Sequence, residues 1–344
     1  MHFLPQRHYL CNMKEHLSGK HVPCIEHNTT FVSFIIIHNN TPRKLFRECI
    51  ESIFTLSLSD CEKEIIVVDD GSDICPLDYI HEYSNDIIYI RQKSKGSGYA
   101  KNIGLDICKG KYIQFINSND KLIKMSYEHC LDIIRYGEDV DTVIFNLSYN
   151  NAAEPTFNKD INITGIEFMQ HNDLRSTTCG YIFRRLLLGK LRFNPYLLHE
   201  DEDFTPRLIL KAEHIITTDI KACFCRNDIS KNITGDDKRN NIKQLNDTEQ
   251  IIFDLANLAN NLQHRERIAL QRKINKLTMD YICDIVSLTH SKKQLEQRIA
   301  ILEAKGLFPL PQKGNALKYR FIRQLTRNKS SRLLLFWLLK NHRL

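Results

Sequence analysis

Three short polar segments follow predicted strands in the first half of the chain and carry residue types that bind phosphates, sugars and metal ions. The first is Asp69-Asp70, which comes directly after the apolar run Ile65–Val68 and precedes a Gly-Ser pair. Ligands of open α/β sheets collect at the carboxyl ends of strands, so Asp70 is placed to accept hydrogen bonds from a base or a ribose. Taken alone, an Asp-Gly pair favours an ordinary turn.

The second segment is a glycine-containing loop, Gly96–Gly104, that leads into a predicted helix. Such a loop lets backbone N–H groups and a cation approach a phosphate, and Lys101 supplies the cation. A dinucleotide-binding fingerprint would need a third glycine at position 101 and would follow the first strand. A nicotinamide site is therefore disfavoured.

The third segment is Asn117-Ser-Asn119-Asp120, after the apolar run Tyr112–Ile116. Oxygen-bearing side chains at alternate positions suit a hard divalent cation that bridges a diphosphate, although only Asp120 is charged. An Asn-Asp cluster can equally cap the next helix. Three strand ends of this kind in one sheet favour a shared phosphate site over three unrelated turns.

An acidic cluster, Glu200-Asp-Glu-Asp203, opens a predicted helix in the second half of the chain. Acidic residues in a first turn are stabilised by the helix dipole and need no further function. Asp201 lies three residues before Phe204 and seven before Leu208, which predicts that it faces inward with them. Burial there would suit it to general-base catalysis.

A mostly parallel sheet is predicted to position these segments. From Phe31 to Asn150, short apolar runs alternate with amphipathic stretches, which is typical of an α/β domain. The first helix is predicted to be capped by Thr41, with Pro42 as its first residue. The predicted strands are Phe31–Ile37, Ile65–Val68, Ile87–Ile90, Tyr112–Ile116 and Thr142–Phe145.

Composition narrows the classes of function. With 42% hydrophobic and 26% charged residues, the chain is of ordinary globular composition, and its net charge of +7 does not require nucleic acid. Basic residues are not interleaved with aromatics along the α/β part, which disfavours a nucleic-acid module. Eleven scattered cysteines, no signal-like run in the first 27 residues and no apolar stretch of membrane-spanning length predict a cytoplasmic protein.

The C-terminal tail is basic and amphipathic. From Lys313 to Arg343 there are nine Lys or Arg and no acidic residue. The segment Arg332–Lys340 suits a helix lying on anionic lipid, which predicts peripheral attachment to the inner face of the cell membrane. Packing against the rest of the protein is the alternative.

The four polar segments, in this order and spacing, resemble the family 2 glycosyltransferases, especially bacterial enzymes that build surface polysaccharides. The likeness runs from about Phe31 to Thr234 and is weaker at Gly306–Pro311 and in the tail. It implies a GT-A fold, with a Rossmann-like, mostly parallel sheet and a C-terminal helical subdomain. The regions are an N-terminal extension of little order at 1–30, a catalytic domain at 31–235 (donor half 31–150, acceptor half 151–235) and a helical region at 236–344.

The resemblance implies an inverting hexosyltransferase that moves a sugar from a nucleotide-diphosphate sugar, with UDP favoured, to a saccharide or lipid-linked acceptor. Glu200-Asp201 looks like the family's acidic pair, in which Asp201 would deprotonate the acceptor hydroxyl. Arg226 resembles a position on the acceptor-side loop. The residues implied to hold the donor are Asn39, Asn40, Asp70, Lys101 and Asn117, and those implied to hold Mn²⁺ or Mg²⁺ are Asp120 and Asn119.

Departures from the family pattern leave three alternatives for the metal site. The first loop has Ile37 and Asn39 where the family usually has Pro and Tyr, and the Asp-x-Asp-Asp motif has Asn117 and Asn119 in place of two carboxylates. Asparagine coordinates without charge, so affinity for a divalent cation should fall. Either Asp120 holds the metal nearly alone, or basic side chains take its place, or the chain is a catalytically weakened, nucleotide-sugar-binding partner subunit.

Overall fold

The computed structural model describes residues 30–149, 160–226, 238–311 and 317–340. These residues form two compact units. The first comprises the described residues of 30–168 and 175–226, and the second comprises 169–174 and those from 238 onward. All but the last residue of the predicted extension 1–30 lie outside the described part of the chain.

The first unit is built on one mixed sheet. Neighbours β3, β2, β1 and β4 are parallel, whereas β8 runs antiparallel to both β4 and β6. The strand order is β3-β2-β1-β4-β8-β6-β9-β5, and β7 pairs with β9. In the described residues the strands are β1 Val32–His38, β2 Lys63–Asp70, β3 Ile87–Gln92, β4 Tyr112–Asn117, β5 Lys121–Leu122, β6 Thr142–Ser148, β7 Ile161–Ile163, β8 Tyr181–Arg184 and β9 Ile215–Phe224.

Helices cover both faces of this sheet, which explains the continuous apolar runs of its central strands. Phe34 and Ile36 of β1 pack with α1 on one face, and Ile35 packs with α3 and α6 on the other. The helices that begin in this unit are α1 Arg43–Phe54, α2 Leu77–Ile80, α3 Ser97–Ile107, α4 Lys124–Tyr136, α5 Gly165–His171 and α6 Glu200–Ile209.

The five predicted strands are present with small shifts in their bounds, and the mostly parallel sheet is confirmed. The predicted cap of α1 is wrong. Pro42 occupies the N-cap position, and no side chain caps the helix. The hydroxyl of Thr41 instead forms a hydrogen bond of 2.6 Å with the hydroxyl of Ser118, because the polar segment after β4 lies beside it.

The second unit is helical, as predicted, and is held by a buried polar network. The guanidinium of Arg298 donates to Tyr281 and Asn246 over 2.8 Å each, and pairs with Glu249 at 3.3 Å. The helices are α7 Lys238–Asn260, α8 His264–Thr289, α9 Lys292–Ala304, α10 Leu317–Thr326 and α11 Lys329–Lys340.

The tail helix α11 has one packed face and one exposed face. Arg332 is buried and makes two hydrogen bonds to Glu296, of 2.8 and 2.7 Å, so it ties α11 to α9. Leu333, Leu334 and Trp337 are each about half exposed. Along the described stretches, no helix combines the length and the apolar character needed to cross a membrane.

Eight cysteines of the described residues are free thiols, whereas Cys61 is disulfide-bonded.

Candidate active site

The three predicted strand-end segments lie at one edge of the sheet. In the register of the parallel strands, His38 at the end of β1 is opposite Asp69 of β2, and Ile37 is opposite Asn117 of β4. Parallel neighbours end on the same side, so the polar residues that follow these strands are brought together by the topology alone.

Asp69 and Asp70 have different functions at the end of β2. Asp69 is fully buried and accepts hydrogen bonds from the main chain and hydroxyl of Ser72, at 2.9 and 2.6 Å, and from Tyr89 at 2.7 Å. Asp70 accepts from Gln92 and from the main-chain N–H groups of residues 95 and 96, at 2.7, 2.7 and 2.9 Å. Asp69 therefore shapes the turn, and Asp70 fixes the start of the glycine-containing loop.

The loop after β1 is hydrogen-bonded to the same turn after β2. The amide of Asn39 donates to the main-chain oxygen of Asp70 over 2.7 Å. Asn40 has positive φ, donates its N–H to Ser72 at 2.9 Å and accepts from the N–H of Asp73 at 2.9 Å. Hydrogen bonds thus hold the predicted donor residues Asn39, Asn40 and Asp70 together in one polar cluster at the end of β2.

Lys101 lies on α3 and reaches the acidic pair of α6. Its ammonium donates to Glu200 at 2.9 Å and to Asp201 at 2.5 Å, and lies 5.1 Å from the ring centre of Phe193. A Cβ on Gly104 would come within 2.4 Å of Ile35, so glycine there lets α3 approach β1 closely. The pKa of Lys101 is raised above its ordinary value: burial opposes the charged form, and the charges of Asp201 and Glu200 outweigh it.

The two acids of the pair differ in exposure. The Glu200 side chain is 4% exposed and accepts from Ser97 as well as Lys101. The Asp201 side chain is 21% exposed and accepts from the main chain and hydroxyl of Thr178, at 3.2 Å each. Asp201 is therefore the more accessible acid of the pair, while Glu200 contacts both Lys101 and Ser97.

The helical spacing predicted that Asp201 alone would face inward, and this is only partly right. Glu200 and Asp203 are buried, whereas Asp201 is partly exposed, and Asp203 pairs with Arg207 at 2.7 Å. Partners on α3 compensate the burial of Glu200, and an ion pair within α6 compensates the burial of Asp203.

The segment after β4 is tied to Arg226, which follows β9. Asp120 accepts from the amide of Asn117 and from the main-chain N–H of Arg226, both at 2.9 Å. The guanidinium of Arg226 donates to the main-chain oxygen of Asn119 and to Glu48 of α1.

A divalent cation does not fit this donor set. Asp120 is buried, both of its oxygens accept N–H hydrogen bonds, and the positive charge of Arg226 lies beside it. Among the residues that the structure describes, no three His, Cys, Asp or Glu side chains are grouped to hold a metal ion. The predicted ligand roles of Asp120 and Asn119 gain no support from this geometry.

Cys179 connects the two halves of the site. Its thiol is buried, which raises its pKa; the charges of Asp120 and Asp201 act in the same direction and that of Lys101 opposes them. The main-chain oxygen of Cys179 accepts a hydrogen bond of 3.4 Å from Gln114 of β4, and the neighbouring Thr178 donates to Asp201 at 3.2 Å, so this segment links β4 to the acidic pair.

Four contacting residues were missed by sequence reasoning: Gln92, Ser97, Thr178 and Glu48. Gln92 ends β3, and its position at a strand end could have indicated it. Ser97, Thr178 and Glu48 carry no local signal, because their partners are about 100, 23 and 178 residues away in the chain.

Comparisons with known proteins show the family of this chain. The model of glycosyl transferase family 2 matches residues 33–190. Glycosyltransferase GlyG of Streptococcus pneumoniae is 32% identical over 213 residues, which cover 54% of this chain and 67% of GlyG. The chain belongs to glycosyl transferase family 2. The family predicted from the sequence is therefore confirmed.

Other relatives of this family 2 chain are much longer proteins. Glycosyltransferase GlyA of Streptococcus pneumoniae is 28% identical over 49% of this chain and 27% of GlyA. The minor teichoic acid biosynthesis protein GgaB of Bacillus subtilis is 25% identical over 43% of this chain and 17% of GgaB. The chain thus matches only a part of each.

Solved structures share the fold of this family 2 chain. TarS of S. aureus superposes with a TM-score of 0.63 at 17% identity, over 91% of this chain and 55% of TarS. A TarS 1–349 complex with UDP-GlcNAc gives 0.59 at 18%, over 87% and 92%. A mannosyltransferase of Pyrobaculum calidifontis, solved with GDP-Man and Mn²⁺, gives 0.53 at 12%, over 90% and 85%. The predicted GT-A fold is confirmed.

Proposed function

We propose that this chain transfers a hexosyl group from a UDP-sugar to a hydroxyl of a saccharide or lipid-linked acceptor in bacterial surface polysaccharide synthesis, with inversion at the anomeric carbon. The observation that carries the proposal is Asp201, a partly exposed carboxylate held in place by Lys101 and Thr178 beside the polar strand ends. This substrate class is supported by the similarity to GgaB, a minor teichoic acid biosynthesis protein, and to TarS, which was solved in complex with UDP-GlcNAc.

Each part of the site has a step in this reaction. Asn39, Asn40 and Asp70 hold the nucleoside, with Gln92 beside Asp70. Asp201 takes the proton of the acceptor hydroxyl, and the oxygen attacks the anomeric carbon from the face opposite the diphosphate. The bond between the anomeric carbon and the diphosphate oxygen breaks, and its electron pair leaves with UDP. Proton transfer to a positioned carboxylate contributes about 10²–10⁴-fold to such rates.

The matched pair Asp201→Asn and Asp203→Asn tests this function. Purified protein is incubated with a panel of nucleotide sugars and acceptor glycans, and released UDP is measured. Asp201→Asn should lower turnover about a thousandfold, whereas Asp203→Asn, on the same helix but paired with Arg207, should keep most of it. Equal activity of Asp201→Asn and wild type would contradict the proposal.

A second candidate is a nucleotide-sugar-binding partner subunit with weak catalysis. It is favoured by Asn117 and Asn119, which stand where the family has carboxylates. Calorimetric binding of UDP without turnover of any donor in the panel would favour this candidate.

We also propose a cytoplasmic location at the inner membrane face, which suits a lipid-linked acceptor. The exposed apolar residues of α11 are Leu333, Leu334 and Trp337. The exposed basic residue Arg327 precedes this helix, and the exposed Lys329 begins it. Wild type should float with phosphatidylglycerol vesicles, and Leu334→Ser/Trp337→Ser should not; equal flotation of both would contradict this location.

A further inference from the structure

We propose that this chain binds the diphosphate of its donor without a divalent cation, and that Arg226 supplies the positive charge in its place. The inference rests on the proposed function, since it concerns a nucleotide-diphosphate donor. It departs from the metal ligands that the family resemblance implies for Asp120 and Asn119.

The amide of Asn117 is the first observation. Its nitrogen lies 2.9 Å from a carboxylate oxygen of Asp120, and that oxygen can only accept, so the N–H is turned toward Asp120. An aspartate at position 117 would place two carboxylates at this distance, which is unfavourable unless a cation or a proton lies between them. Asn117 removes the repulsion with its own N–H, so the pair needs no metal.

The hydrogen bonds of Arg226 are the second observation. Its main-chain N–H donates to the other oxygen of Asp120 over 2.9 Å, and its guanidinium donates to the main-chain oxygen of Asn119 and to Glu48. A guanidinium is therefore fixed directly beside the segment that the family uses for metal. Its side chain is 18% exposed, so it is held firmly but can still be reached.

The local charge is the third observation. Arg226 and Lys121 face Glu48 and Asp120, with the ammonium of Lys121 4.0 Å from Glu48. The two positive and two negative charges of this group cancel, so a divalent cation would gain little attraction and would be repelled by the guanidinium. A diphosphate brings negative charge, which a guanidinium binds in a bidentate manner. Glu48 is 30% exposed, so exchanging this partner for a phosphate costs little.

The first experiment uses metal alone, with no nucleotide. Melting midpoints of wild type and Asn117→Asp are measured in EDTA and in MnCl₂. Wild type should change by less than about 1 °C, while the variant should melt lower in EDTA and recover by about 3 °C or more in Mn²⁺, as expected for a ligand that binds only the folded state. A wild-type rise equal to that of the variant, or a variant that ignores Mn²⁺, would overturn the proposal.

The second experiment measures the UDP dissociation constant by calorimetry in EDTA and in Mn²⁺. Wild type should bind equally in both, within about threefold. In EDTA, Arg226→Gln should weaken binding about tenfold and Arg226→Lys by less, since one charged contact is removed or only reshaped. Arg135→Gln is the matched control, because Arg135 is similarly exposed and pairs with Glu62 at 3.1 Å next to the amino end of β2.

The outcomes separate the two proposals. UDP binding that requires Mn²⁺, or that weakens equally in Arg226→Gln and Arg135→Gln, overturns the metal-free site and leaves the transferase proposal standing. An absence of UDP binding in both buffers contradicts the proposed function, and the inference falls with it.

Discussion

Lys101 and Arg226 each bring one cation to the candidate site and each contact two acidic residues, yet their surroundings differ. The ammonium of Lys101 makes side-chain contacts with both Glu200 and Asp201, and its side chain is 7% exposed. Arg226 reaches Glu48 through its guanidinium but Asp120 only through its main chain, and its side chain is more than twice as exposed.

The difference assigns the two cations separate tasks. Lys101 is engaged by two carboxylates and an aromatic ring, so it serves to hold the acidic pair. Arg226 has one exposed acidic partner that a phosphate can replace. The sequence predicted that Lys101 is a donor-side cation, because a lysine in a glycine-containing loop is typical of phosphate sites. That role has not been tested and stays a prediction.

The largest expected effect on folding comes from removing each cation in turn. Lys101→Met leaves the buried carboxylate of Glu200 and the partly exposed carboxylate of Asp201 without their counter-charge, and should lower the free energy of unfolding by about 4 kcal/mol. Arg226→Met breaks an ion pair with the partly exposed Glu48 and should lower the free energy of unfolding by about 1 kcal/mol. Urea unfolding of the two variants measures these losses. Equal losses of unfolding free energy in both variants would contradict the difference between Lys101 and Arg226.

The buried His38 at the end of β1 is expected to have an intermediate effect, on the pH dependence of stability. His38 is fully buried against Phe46, and neither ring nitrogen has a hydrogen-bond partner within the described residues. Burial lowers its pKa from 6.5 to about 4, with Asp69 opposing the shift. His38 therefore lacks the compensation that both Lys101 and Arg226 have.

The sign of the pH effect follows from this depressed pKa. Below pH 6.5, His38 binds a proton in the unfolded chain, whereas in the folded protein it stays neutral until about pH 4. The stability of wild type relative to His38→Phe should therefore fall by about 3 kcal/mol between pH 6.5 and 4 and then level off. Denaturant unfolding across this range checks it; parallel pH profiles would show that His38 is protonated in the folded protein.

The smallest expected effect concerns the acidic partner of Arg226. Glu48→Gln removes the charge that competes with a phosphate for the guanidinium, and should tighten UDP binding about threefold, on the scale of an exposed ion pair. Calorimetry measures it, with Glu62→Gln as the control at the partner of Arg135. Weaker UDP binding in Glu48→Gln would indicate that Glu48 orients Arg226 rather than competes with ligand.

Local patterns predicted the elements of the first unit better than its side-chain partners. The apolar runs before Asp69 and Asn117 and the acidic start of α6 place these residues correctly at element ends, because strand and helix periodicity is a local property. The sequence could not show that Ser97 and Lys101 meet Glu200, since that contact depends on how α3 and α6 pack on the same face of the sheet.

The prediction that Thr41 caps α1 was wrong for the same reason, because the actual partner is distant in the sequence. Thr41 and Pro42 have a helix-start pattern, but Ser118, 77 residues away, provides a competing partner for the Thr41 hydroxyl. Likewise, the loss of two carboxylates at Asn117 and Asn119 was visible in the sequence, whereas the guanidinium of Arg226 beside them was not.

The central claim is that Arg226 binds the diphosphate whereas Lys101 holds the acidic pair. It is tested most directly by the UDP dissociation constants of Arg226→Gln and Lys101→Gln, measured in EDTA on proteins that still unfold cooperatively. Arg226→Gln should bind UDP about tenfold more weakly than wild type, while Lys101→Gln should stay within about threefold, because the Lys101 ammonium is already engaged by Glu200 and Asp201. A larger loss in Lys101→Gln than in Arg226→Gln would contradict the account.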